Sequence, residues 1–237
     1  MLKSKTQTQK GETYTDWIHT SGTNVSPRPE IDRTKLRQIL LDSIPEGIIR
    51  WGSNLRSVSS DGTLHFEHGD ETDFDLIVGA DGGWSKIRSQ LTPLKPHYSG
   101  IGGFDIKIND IDVKYPALSR MVGRGNYFSF GEAEGKVMLA QRRGDGSVGV
   151  YCFGWKSEDW EKTSTVNCED VEEVRKLLLE EHKNWNEDLR ELLRCFDEVV
   201  PRTLYMMPVG VRWSSKSKFT CIGDAGKRSS LCHCHAC

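Results

Sequence analysis

A mixed α/β fold, with a partly parallel sheet and a second, antiparallel sheet, is what the sequence predicts on three observations. The first is "DLIVGADGG" (75–83), where a short apolar run ends in small residues and an Asp. The second is the block 98–156, where strand-like runs alternate with glycine turns. The third is "FTCIGDAG" (219–226), a distant strand-like run with the same kind of exit. Leu76, Ile77 and Val78, bounded by a charge and by glycines, read as a central strand covered on both faces, as in a parallel sheet. The small residues after it admit a ligand or another backbone at the carboxyl end, where open α/β sheets bind their ligands. The competing reading is a glycine-rich exit whose Asp81 caps the next helix.

The elements follow in order. Residues 1–29 are polar and turn-rich, with one strand predicted from Thr13 to His19. Asp32 can cap a helix running to about Ser43, whose buried stripe would be Leu36, Ile39 and Leu40, leaving Arg37 on a different face. A meander is expected next, Ile48–Trp51, Leu55–Ser59 and Leu64–His68, with an Asp61-Gly62 turn. Strands at Ser99–Asn109, Asn126–Glu132, Lys136–Arg143 and Val148–Trp155 form the separate antiparallel sheet, the last three joined by turns at Glu134-Gly135 and Asp145-Gly146. Val171, Val174, Leu178, Trp185, Leu189, Leu192 and Phe196 keep helical spacing over 170–196, with a break at Asn184 or Asn186.

The chain has 237 residues and a formal net charge of -2, which gives no electrostatic case for nucleic acid. No apolar run approaches a membrane span, and "MLKSKTQTQKGE" lacks the apolar centre of a secretory signal. Cys152, Cys168, Cys195 and Cys221 are scattered rather than spaced as a disulfide framework, which suits a reducing, cytoplasmic setting. His97 and His182 have no partners in the sequence that suggest catalysis and are expected at the surface.

"GADGGWSKIR" resembles the Asp-Gly motif, D-G-x-x-S-x-x-R, of the FAD-dependent aromatic-ring hydroxylases with the para-hydroxybenzoate hydroxylase fold. "FTCIGDAG" is similar to the start of their Gly-Asp motif, and "PEIDRTKLRQILLDSI" to the segment bearing a flavin-contacting Arg. "NWNEDLRELL" has a counterpart in the branch with the tetracycline-inactivating monooxygenases, and the likeness runs from about 27 to 226. The resemblance implies a partial FAD-binding Rossmann-like domain (1–93, resumed at 204–226) with an inserted antiparallel substrate domain (94–203). It implies that FAD is held by Arg37, Asp81, Gly82, Arg88, Gly223 and Asp224, with NAD(P)H as reductant. Oxygen would then hydroxylate an aromatic or polyketide-like small molecule through a flavin hydroperoxide, with no catalytic side chain and no metal. Reading the residues without it, Arg37 is a solvated helix-face charge, Arg88 a structural ion-pair former and Asp224 a turn former.

Two departures stand against that pattern. The family opens with a strand, a G-x-G-x-x-G turn and a helix; no such motif occurs here, and Gly100, Gly102 and Gly103 lead into a strand instead. After Ala225 the text becomes "GKRSSLCHCHAC". A truncated or mis-spliced chain is therefore expected, and the alternative function is an inactive remnant that binds no flavin. The alternating Cys232, His233, Cys234, His235 and Cys237 of the divergent tail, 227–237, lack the spacing of a structural zinc site. Lys107 is expected to be an exposed strand lysine rather than a substrate contact.

Overall fold

The structure, a computed structural model, describes residues 3–8, 13–18, 31–131, 135–214 and 218–226. The Cys- and His-rich tail lies outside the described residues. The chain folds as two compact units, 1–38 with 100–203 and 39–99 with 204–237. No helix among the described residues is long and apolar enough to cross a membrane.

The first unit is built on a seven-stranded sheet. Its strands are β1 (Lys3–Thr8), β2 (Thr13–Ile18), β7 (His97–Ile108), β8 (Asn126–Phe130), β9 (Val137–Arg142), β10 (Val148–Trp155) and β11 (Glu198–Met206), in the order β11-β7-β10-β9-β8-β1-β2. The pairs β7–β10, β10–β9 and β9–β8 are antiparallel, whereas β1 lies parallel to β8. Strand alternation sorts the two faces. Phe104, Ile106 and Ile108 are fully buried on one face of β7, while Asp105 and Lys107 are half-buried on the other.

Helices α5 (Val171–Glu181) and α6 (Glu187–Arg194) cover the apolar face, placing Val174, Leu178, Leu189, Leu192 and Leu193 in one core with Phe104, Ile106, Met138 and Val150. Trp160, on the short helix α4 (Trp160–Thr163), meets Phe104 edge to face at 5.1 Å. Helices α2 (Ile111–Lys114) and α3 (Pro116–Val122) close the crossover after β7 with buried Ile111, Leu118 and Val122. The break in the 170–196 helix falls at Asn186, whose side chain accepts from the Asp188 N–H and caps α6. Asp170 caps α5 by accepting from the amides of Glu172 and Glu173, both at 2.9 Å.

The second unit holds the meander β3 (Leu55–Val58), β4 (Leu64–Phe66) and β5 (Gly69–Glu71), and a parallel pair, β6 (Ile77–Gly79) with β12 (Phe219–Cys221). Helix α7 (Gly223–Gly226) follows β12 directly.

Several expectations are corrected. Helix α1 (Arg33–Asp42) forms, but Leu36, Ile39 and Leu40 are 42, 50 and 55% exposed, so the apolar stripe is present and is not covered by the described residues. Asp32 does not cap it by side chain; its carboxylate accepts from the Gly144 N–H at 3.1 Å. Ile48–Trp51 is irregular, and the third meander strand is β5, because Arg50 is held by a bidentate pair with Glu71 (2.8 and 2.7 Å) instead of joining a ladder. His182 is buried, not at the surface. Its Nδ1 lies 2.8 Å from the Leu178 carbonyl and its ring meets Trp185 edge-on at 4.8 Å, so it ends α5 inside the core. Lys107 is ion-paired to Glu198 (3.4 Å) and Asp145 (3.8 Å) rather than extended into solvent. His97 is exposed as expected.

Asp170→Ala removes two amide acceptors at the start of α5 and is expected to cost about 1 kcal/mol in urea unfolding, with an unchanged slope. Asp105 supplies a second test. Burial raises its carboxyl above the ordinary range despite the opposing pull of Arg143 and Arg202, at 3.2 and 3.7 Å. A carboxyl whose folded value is raised stabilises the fold in its protonated form, so its contribution is fully present in acid and declines as pH rises from the unfolded value through the folded one. Stability measured against pH should therefore fall across that window in the native chain and lose this component in Asp105→Asn.

Candidate active site at two strand exits

The site is set by register. Ile77 pairs with Phe219, Val78 with Thr220 and Gly79 with Cys221, and the Ile222 N–H donates to the Gly79 carbonyl at 2.9 Å. Two parallel strands therefore stop side by side, and Asp81-Gly82 and Gly223-Asp224 leave from neighbouring exits. Ile77 and Phe219 are buried with Leu64, Ile87 and Leu91 on one face. Gly79 permits that packing: a Cβ there would lie 2.7 Å from the Ile87 Cβ and 3.0 Å from the Cys221 Sγ. The expectation of a strand covered on both faces is corrected. Leu76 and Val78 are exposed because the described residues cover only the Ile77 side.

Asp81 is exposed, and its Oδ2 accepts from the Lys86 N–H at 2.7 Å. This bond closes the loop 81–86, whereas the helix that follows, Ile87–Gln90, starts at Lys86 with no side-chain cap, so the expectation that Asp81 caps that helix is corrected. The bond occupies one carboxylate oxygen, so it does not exclude a ligand at the other. Gly82 has φ +81, and Gly223 has φ +58; among the described residues no atom lies within 4 Å of where a Cβ would sit on either. Both left-handed positions suit glycine and leave the main chain of each exit open to a ligand. Asp224 is half-buried in α7.

Arg88 is 3% exposed. Its guanidinium donates to the Ala225 carbonyl at 3.2 Å and to the Gly83 carbonyl, and its amide donates to Ser85 Oγ at 3.0 Å. The clamp spans 137 residues of sequence and ties one exit to the other. Both terminal nitrogens donate to carbonyls, one at each exit, so Arg88 positions the loops. Burial raises the Cys221 thiol beside it, with a hydrogen bond from Ser85 working in the opposite direction. Arg37 is exposed on α1, in the other unit. The structure thus brings together Asp81, Gly82, Arg88, Gly223 and Asp224.

Sequence reasoning missed the aromatic chain next to the first exit. Trp84 packs edge-on against Tyr205 at 5.1 Å, and Tyr205 against Tyr98 at 5.9 Å. Tyr205 belongs to β11, whose sequence EVVPRTLYM has no strand alternation that would have pointed to it. Among the described residues no group of His, Cys, Asp and Glu is arranged to hold a metal ion.

No protein-family profile matches the chain. It is 28% identical over 248 residues to the monooxygenase asqM of Emericella nidulans, covering 84% of this chain and 56% of that protein. It is 34% identical over 138 residues to the monooxygenase penA of Penicillium thymicola, covering 53% of this chain and 32% of that protein. The chain thus spans about half the length, or less, of these curated relatives. Among solved structures it superposes on Klebsiella pneumoniae HpxO complexed with FAD and uric acid with a TM-score of 0.67 at 18% identity, covering 95% of this chain and 57% of HpxO.

Arg88→Met is expected to leave the Gly83 and Ala225 carbonyls without their donor and to cost about 3 kcal/mol. Hydrogen exchange should accelerate at amides 79–86 and 221–226 together, since one side chain holds both exits. Unlinked changes in the two segments would refute the clamp.

Proposed function

We infer that this chain, related to the flavin monooxygenases and sharing the fold of the FAD-dependent hydroxylases, works as the FAD-holding and substrate-facing part of an NAD(P)H-dependent monooxygenase. The observation that carries this reading is the pair of adjacent exits, each with an open left-handed glycine beside an aspartate. That arrangement fits part of a dinucleotide. Main-chain amides at Gly82 and Gly223 suit phosphate oxygens, and the Asp224 carboxylate suits hydroxyls of the ribose or ribityl chain. Asp81, with Oδ2 fixed by the Lys86 amide, holds the first loop in the receiving conformation. Arg88 positions both loops from below. Arg37 is assigned by resemblance alone as a donor to phosphate or carbonyl oxygen, a task its planar fork suits.

Bound FAD supplies the redox chemistry that couples NAD(P)H and oxygen to insertion of one oxygen atom. The protein's part is to orient the substrate. In the first unit, the face of the sheet opposite α5 and α6 carries Tyr151 and Phe153 stacked at 6.1 Å and 22°. On the same face Asp105 lies with Arg143 and Arg202. Flat aromatic surface beside hydrogen-bonding groups supports an aromatic or polyketide-like small molecule as substrate.

The experiment is a titration of the purified chain with FAD, followed by flavin fluorescence. Asp224→Asn should weaken uptake about tenfold, on the order of one hydrogen bond to a charged group. Gly82→Val should weaken it through backbone strain. NAD(P)H oxidation stimulated by an aromatic compound, with one atom of O2 in the product, would complete the assignment. Absence of flavin uptake by the chain would count against this reading.

A further inference from the structure

The solvent face of the β3–β4–β5 meander carries a relay that flavin chemistry does not use. Ser59 Oγ lies 2.7 Å from His65 Nε2, and His65 Nδ1 lies 2.8 Å from Asp70 Oδ1. His65 and Asp70 face each other directly in the ladder, and Ser59 follows β3 at the entry to the turn. The buried neighbour Leu64 fixes the orientation, since strand alternation then turns His65 outward. The turn is held by the Ser59 amide donating to the Thr63 carbonyl (2.9 Å), the Gly62 amide to the Ser59 carbonyl (3.1 Å) and the Thr63 amide to Asp61 Oδ1 (3.0 Å).

The polarity of this relay is defined by the carboxylate. Ionised Asp70 accepts only, so the proton of neutral His65 is assigned to Nδ1, and the Nε2 lone pair faces the Ser59 hydroxyl. This is the arrangement in which a histidine takes a serine proton while a carboxylate steadies the imidazolium that forms. The Ser60 amide, next in the chain, makes no hydrogen bond among the described residues and is available to a developing oxyanion.

We propose that Ser59 is a nucleophile activated by His65 and takes acyl groups from small activated esters, with Asp70 as the positioning residue. The Ser59 oxygen bonds to the ester carbonyl carbon as its proton passes to His65 Nε2. Collapse breaks the bond to the leaving oxygen, which accepts that proton and departs as the free alcohol. Water then repeats the sequence, releasing the carboxylic acid and restoring the Ser59 hydroxyl. No oxidant or further reactant is required.

The test uses the full chain with p-nitrophenyl acetate and with a fluorophosphonate probe, mapping adducts by peptide mass. The expected result is an adduct on Ser59 and not on the neighbouring Ser57 or Ser60. Release of p-nitrophenol should fall about a hundredfold in Ser59→Ala and His65→Gln. Asp70→Asn should lose most of the rate and Asp70→Glu should recover it, a rescue that a merely structural carboxylate would not produce. Circular dichroism checks that each variant remains folded. No adduct, equal adducts on Ser57 and Ser60, or unchanged release in folded Ser59→Ala would each overturn the proposal; if a variant fails to fold, adduct mapping on the native chain still decides it.

Discussion

The parallel pairing of β6 with β12 is the constraint on which the strand-exit site depends. Each strand has three residues, too short to persist alone. Two contacts from the short helix at 87–90 hold them: the packing of Ile87 onto Gly79, and the Arg88 guanidinium delivered to the Gly83 and Ala225 carbonyls. Burying a guanidinium is costly unless its donors find acceptors, and here the carbonyls that meet its two terminal nitrogens come one from each exit. The clamp is therefore cooperative. Forming one exit without the other would leave a buried charge poorly satisfied, so the two halves of the site form together.

The seven-stranded sheet solves a different problem. Its apolar face is filled by α5 and α6, and the depth of that core fixes the strands against sliding, because a one-residue slip would turn Phe104, Ile106 and Ile108 outward and bury Asp105 and Lys107. The other face is thereby free to carry polar and aromatic groups without loss of the fold. Asp105 shows how far this goes. Its carboxyl is raised by burial even with two guanidinia beside it, so desolvation outweighs their attraction, and the cluster is kept at a cost in stability.

Local signals were legible in the sequence where burial and periodicity agreed. The strand Val148–Trp155 is recovered end to end, and Asn186 caps α6 because an Asn before a Glu-Asp pair is a local instruction. Elements whose fate is decided by distant partners were not legible. The Leu36, Ile39 and Leu40 stripe has helical spacing, but spacing does not say whether anything covers it. Ile48–Trp51 has strand composition, yet the Arg50–Glu71 pair and the left-handed Gly52 hold it in an irregular path. His182 reads in the sequence as a lone polar residue at the surface; a helix carbonyl and a tryptophan ring, both invisible as partners in the linear text, bury it. At the strand exits the Asp-Gly and Gly-Asp positions were readable, and the clamping role of Arg88 was not, because it depends on a carbonyl 137 residues away.

Glycine at the site does two separable jobs, and the distinction bears on which residues meet a ligand. At Gly79 the missing side chain is already used: Ile87 and Cys221 occupy the space, so the residue serves packing. At Gly82 and Gly223 the surroundings are open and the backbone is left-handed, so packing does not explain the choice. Ile87 fills the space at Gly79 and Arg88 holds the two exits, while the main chain at Gly82 and Gly223 is left open among the described residues. Asp81 joins the two jobs, since one oxygen fixes the turn through the Lys86 amide and the same bond sets the direction of the other. Closing the loop and leaving one carboxylate oxygen unspent by that bond are thus compatible in one side chain.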